Sequence, residues 1–285
     1  MTKTISRLGV KNEEMAEIYG PLSGLIGTWS GNQGVNLIGV PDQKGGFKLL
    51  VAPYYETITV TALSSPTPNR GLKTIENIPT LMYSLMIHDA RDNSLMHAEN
   101  GIWELLNASE DNDKYNLARI GSVPHGDSLM CLGNSSVTEG RPDINANLSS
   151  LPWGEGLPPV LGYSDPYNAN DYVKGFITSR PNTFLIDHLN KQEATGQKVI
   201  HTTNLLVSTE NNGGINNIPS INKNANATKM NAQFWIETVK DSNTGHTFQQ
   251  LQYSQNITID FPDKLSKAGT TIHWPHINVN TLIKQ

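Results

Sequence analysis

From residue 94 to 105 the side chains alternate, His97, Glu99 and Trp103 facing one way and Met96, Ala98, Asn100 and Ile102 the other. A period of two is that of a β-strand, and the alternation leaves open which face lies inside. β-Branched and aromatic residues predict further strands in two pieces at 48–62 and then at 81–88, 114–120, 128–132, 198–208, 229–239, 247–261 and 271–282. Turn chemistry separates them at 89–93, 121–126 and 240–245, and loops are expected at 39–47, 63–70 and 210–224. Residues 12–19 read as a short helix: Asn12 can cap it, and Met15, Ile18 and Tyr19 share a face before Gly20-Pro21 ends it. A second helix is expected at about 182–192, inside a Pro-, Gly- and Asn-rich stretch, 136–197, that reads as an insertion. With nine or ten strands, no fixed-period repeat and no domain-sized linker, the pattern predicts one all-β antiparallel barrel over 1–285. Its wall would come from 20–135 and 198–285.

The last stretch, Thr271 to Leu282, places Ile272, Trp274, Ile277, Val279 and Leu282 around two histidines, His273 and His276. Chain ends fray unless docked, and this much apolar surface predicts docking against the body.

Composition narrows the partners. The net charge of -5 and the pI near 5.9 leave no basic stripe for a nucleic-acid backbone. Mean hydropathy is -0.38, with polarity carried by Asn, Ser, Thr, Gly and Pro, a loop-rich β composition. No apolar run is long enough to span a membrane as a helix, and a single cysteine, Cys131, excludes an internal disulfide and suits a reducing, cytoplasmic compartment. No nucleophile–base arrangement, phosphate-cradling loop or zinc spacing stands out.

Four separated pieces carry a resemblance. Gly27-Thr28-Trp29-Ser30-Gly31 resembles the opening of calycin barrels, where a Gly-x-Trp plugs one end. Met96-His97-Ala98-Glu99-Asn100-Gly101 follows, then Asn226-Ala227-Thr228-Lys229 with Phe234, and finally Pro275-His276-Ile277 with Leu282 and Lys284. In this order they are similar to the nitrobindin-like haem-binding β-barrels. The resemblance implies a calycin-like barrel of about ten strands holding haem b, with His276 as the iron ligand. Thr28, Met96, His97, Val123 and His125 are implied at the cofactor, with His97 as the catalytic group on the distal side. It implies chemistry with nitric oxide or peroxynitrite, such as isomerisation of peroxynitrite to nitrate, and admits peroxide-dependent oxidation. The implied partners are a small-molecule or diatomic ligand, with no nucleic acid or membrane, and a homodimer is admitted.

A neutral imidazole is a good axial ligand for haem iron. His273 rivals His276, since Pro275 interrupts the strand and parity cannot exclude it; the resemblance decides for His276. Met96 and His97, being adjacent, reach one cofactor only where the strand bulges, twists or presents its edge. Two other functions are carried alongside: a haem-free carrier of an apolar molecule such as a fatty acid, and an interaction domain using the insertion as its surface. Departures from the family pattern at 34–41 and the added length at 136–197 and 210–224 bear on the pocket mouth, which an insertion folded over it would close, narrow or fill.

Overall fold

The structure, a computed structural model, describes residues 12–41, 47–73, 75–107, 114–154, 173–262 and 271–285. Helix α1 (Asn12–Tyr19) and a 3₁₀ turn (Gly20–Leu25) lead into β1 (Gly27–Pro41) and β2 (Phe47–Ala62). There follow the small hairpin β3 (Thr67–Arg70) and β4 (Ile75–Ile78), then β5 (Thr80–Asp89), β6 (Leu95–Leu105), β7 (Leu117–Val123), β8 (Asp127–Glu139) and β9 (Trp153–Gly154). Helix α2 (Thr183–Ala194), β10 (Gln197–Ser208), β11 (Gly214–Asn217) and the one-turn helix α3 (Pro219–Asn222) precede β12 (Asn226–Asp241), β13 (Thr247–Pro262) and β14 (Thr271–Lys284).

Ten of these strands form a closed antiparallel barrel in the order β1-β2-β5-β6-β7-β8-β10-β12-β13-β14, with β14 returning to β1. Closure removes every free edge from the wall. The fold is the calycin-like all-β barrel expected, with a short N-terminal helix and a helical insertion. Details differ: the two pieces expected at 48–62 are one strand, residues 67–70 belong to a hairpin rather than a loop, and 210–224 contains β11 and α3. The expected loop at 39–47 is strand at both ends, and residues 42–46 lie outside the described residues.

Alternation sorts the wall into an inner and an outer face. Inside, Tyr19, Leu22 and Leu25 of the N-terminal segment close one end against Trp29, Trp103, Phe234 and Leu282. Trp29 is fully buried, its indole Nε1 donating to Leu25 O at 2.7 Å, so the plug leaves no donor unsatisfied. Outside, Leu185 and Leu189 of α2, with Ile144, Val173 and Phe176, cover Val35, Leu37, Val199, Trp235, Ile277 and Val279. The described part of the insertion therefore packs on the outer wall, because its apolar residues meet outward-facing positions of β1, β10, β12 and β14. Whether the insertion covers the mouth was open from the sequence; its described residues lie on the outer wall instead.

Two of the irregularities in the wall bear on its concavities. In β1 the pairing slips between Gly31 and Gly34, where a Cβ on Gly34 would stand 2.1 Å from the Tyr54 ring and one on Gly31 2.4 Å from Thr281 O. Only glycine lets the strand approach so closely. In β6 the pairing runs from Ile87↔His97 to His88↔Leu95 and skips Met96, the bulge required for Met96 and His97 to face one space.

Candidate functional site

The end of the barrel away from Trp29 is hollow. A cavity of about 330 Å³ is walled by Ile38, Ile87, Val123, Leu129, Ile257 and Ile259 and carries His276, His97, His125 and Met96. Five of the six residues expected at a cofactor thus line one space, although 180 positions separate Met96 from His276. Thr28 does not line it: it neighbours the Trp29 plug, where its carbonyl accepts from the Gln285 amide at 2.9 Å. The expectation for Thr28 at the cavity is corrected, since adjacent residues on β1 face opposite sides and Trp29 takes the inner one.

His276 and His97 stand on β14 and β6. Three strands separate these one way around the ring and five the other, so the two histidines come from opposing walls. The His276 Nε2 lies 2.6 Å from Asn36 Oδ1, and Asn278 makes a further hydrogen bond with the ring. Burial, reinforced by the charges of His97 and His125, pushes its pKa down to about 3. The imidazole is therefore neutral throughout the physiological range; its Nε2–H donates to Asn36 Oδ1, which places its electron pair on Nδ1. His273, by contrast, faces away, with Nδ1 2.6 Å from Asp260 Oδ1 and its ring stacked on Trp153. The geometry separates the two rivals that strand parity could not.

Across the cavity, His97 Nδ1 and His125 Nε2 are 3.0 Å apart, with the rings stacked at 5.1 Å. The other nitrogen of His97 approaches Glu99 Oε2 at 3.7 Å. Burial lowers the pKa of His125, as does the neighbouring His97. Glu99 forms the floor: Arg119 Nη2 donates to its Oε1 at 2.8 Å, and the Tyr83 hydroxyl donates to the same oxygen. Burial alone would raise the Glu99 pKa, but Arg119, His97 and Tyr83 outweigh it and hold the carboxyl at about 2. Arg119 is 2% exposed, also donates to Gln255 Oε1, and sits over the rings of Phe234, Tyr83 and Trp103 at 5.2, 5.5 and 5.8 Å. A charge so deep persists only because every neighbour answers it.

The mouth is bordered by β11 and α3, which contribute Ile215 and Ile221. This segment docks on the 124–126 turn: Ile218 N donates to Gly126 O at 2.9 Å, and a Cβ on Gly126 would stand 2.3 Å from Ile221 Cδ1. Gly126 has φ +100, a conformation that side chains disfavour. Thus 210–224, not the described part of 136–197, shapes the entrance. Among the site residues, Glu99 was assigned to the His97 face by alternation, whereas nothing in the local sequence marks Asn36, Asn278 or Arg119. Cross-strand register alone brings Asn36 opposite Asn278.

No family model matches the chain, and no curated protein sequence does. Among solved structures, the chain is similar to the crystal structure of Rv2717c from M. tuberculosis at 13% identity and a TM-score of 0.46, over 95% of this chain and 97% of that one.

Proposed function

We propose that the cavity binds haem b through His276 and turns over small nitrogen- or oxygen-centred ligands, as the nitrobindin-like resemblance implies. The observation that carries this reading is the presentation of one neutral imidazole, His276, opposite a hydrogen-bonded histidine pair, His97 and His125, in an apolar cavity. Among the described residues no group of three or more His, Cys, Asp or Glu could hold a bare metal ion. A macrocycle that brings its own ring of nitrogen donors needs only one protein imidazole, so the residues present fit haem. Bound there, haem would supply an iron with a further coordination position for nitric oxide, peroxynitrite or peroxide.

The chain's own groups do the rest. Asn36 and Asn278 fix the plane of the His276 ring, as outer hydrogen bonds do for ligating histidines. Aliphatic walls keep water from the cofactor, and Met96 is brought in by its bulge. Glu99, His97 and His125 form a short line along which a proton can be held and passed toward a ligand. Added haemin is expected to give a Soret band that the His276→Ala variant loses while His97→Ala keeps it; equal haem binding by His276→Ala sinks the assignment.

A second reading, a haem-free carrier, is favoured by two features: His276 already has hydrogen-bond partners, and about 330 Å³ lies near the lower end of the roughly 300–1,000 Å³ of small-molecule pockets. It expects no Soret band from protein made with ample haem, together with displacement of a fluorescent fatty acid.

A further inference from the structure

A second concavity, of about 740 Å³, lies outside the wall between α2 and the β1 bulge. Gln33, Glu56, Thr281, His188, Gln192 and Phe248 line it, and its other lining side chains are amides, hydroxyls or uncharged groups. No lysine or arginine is among them. The bulge creates the groove, because Asn32 and Gln33 loop out of both β1 pairings and leave the buried inner neighbour Glu56 at its base. Glu56 Oε2 accepts from the Tyr253 hydroxyl at 2.7 Å and from Asn280 Nδ2 at 2.9 Å, and burial raises this carboxyl to about 7.

Behind the groove lies a buried polar layer. Gln192 and Gln250 exchange amide hydrogen bonds of 2.7 and 3.1 Å, Gln250 also donates to Glu237, and Gln252 Nε2 donates to Thr281 Oγ1 at 2.8 Å. Three polar atoms here, His188 Nε2, Gln252 Oε1 and Glu237 Oε1, have no hydrogen-bond partner among the described residues. Of the three, His188 lines the groove, and its unpartnered Nε2 is the one an occupant can answer. Burial keeps Glu237 protonated to about 8, so the layer carries no net charge to attract an ion. Amides and hydroxyls each offer donor and acceptor together, the pattern that alcohol groups match.

We propose that this groove binds a neutral oligosaccharide, with Gln33, His188, Gln192 and Thr281 hydrogen-bonding its hydroxyls and Phe248 meeting the apolar face of a ring. The site is separate from the His276 cavity and does not depend on what that cavity holds. The test is amide NMR of the full chain titrated with maltotriose, cellotriose or triacetylchitotriose at millimolar concentrations, with phosphate and hexanoate as charged and apolar controls. The expected result is a saturable shift at residues 30–33 and 188–197 with one of the sugars, weakened about tenfold or more in Gln33→Ala and in Gln192→Ala. Gln33 is solvent-exposed, so its variant is expected to keep the parent's circular dichroism and haemin titration. No saturable shift with any sugar overturns the proposal, as does a groove response to phosphate or hexanoate in their place, or a Gln33→Ala variant that binds like the parent.

Discussion

The two ends of the barrel are built from the same strands and differ in what fills them. On β6, Trp103 packs the closed end while His97, six residues away, lines the hollow one; on β14, Leu282 and His276 divide the same way. A ten-stranded ring is wide, and only large side chains can close it. Near Trp29 the inner positions are Trp, Phe, Tyr and Leu, and helix α1 with its turn supplies a lid of Tyr19, Leu22 and Leu25. Near His276 they are mainly Ile, Val, Ala, Met, Asn and His, with one Leu and no Trp, Phe or Tyr, which leave a space. Between the two lies the Glu99–Arg119–Tyr83 cluster, a polar floor whose rigidity keeps the cavity from collapsing onto the plug. One end thus stores stability, and the other spends volume on binding.

That contrast can be broken from either side. The largest loss is expected for Trp29→Ala, about 3–5 kcal/mol, since it empties a fully buried indole; Ile257→Ala, which only enlarges an existing space, should cost about 2 kcal/mol, the low end for such a truncation. Chemical denaturation of the two variants tests this, and equal losses would erase the distinction between plug and cavity. Arg119→Met leaves the Glu99 carboxylate buried without its partner and should cost about 3 kcal/mol, much of it restored when Glu99→Gln is added. The double-mutant cycle reads the coupling directly.

A smaller effect concerns pH. Glu56 has a folded pKa raised to about 7 from 4.5, so the folded state binds its proton more tightly than the unfolded chain. The resulting stability is fully present below pH 4.5 and is lost as pH rises through about 7. Glu56→Gln keeps an acceptor for Tyr253 and Asn280 but does not titrate, so its stability should fall less than the parent's between pH 5 and 8, by on the order of 2 kcal/mol. Parallel melting curves for parent and variant would refute this. The smallest change is expected from Gly126→Ala, which strains a positive φ against Ile221 and should loosen the segment over the mouth at a cost of about 1–2 kcal/mol. Faster amide exchange confined to 214–222 is the readout.

Much of the fold is legible locally. Helix α1 has the predicted bounds, the 89–93 turn lies where Asp and Asn demand it, and alternation on β6 grouped His97, Glu99 and Trp103, which all face inward. The Met96 bulge is a subtler case: adjacent residues needed a break in the strand to share a cavity, and the break exists. Less legible was the direction of long-range packing. The apolar face of α2 is plain in Phe184, Leu185 and Leu189, yet nothing local says whether it covers the mouth or the outer wall. Its partners, Val35, Trp235 and Ile277, are spread over three strands.

By itself, the sequence determined most strands of the wall, the turns between them and the docking of residues 271–282, because periodicity, turn chemistry and apolar content act over a few residues. It also singled out His276 and His97, through short motifs. Tertiary structure alone decided that Thr28 stays with the plug, that β11 and α3 shape the mouth, and that Asn36, Asn278 and the Arg119–Glu99 pair complete the cavity. These depend on which strands closure makes neighbours and on the register between them, and register is a property of pairs of segments far apart in the chain.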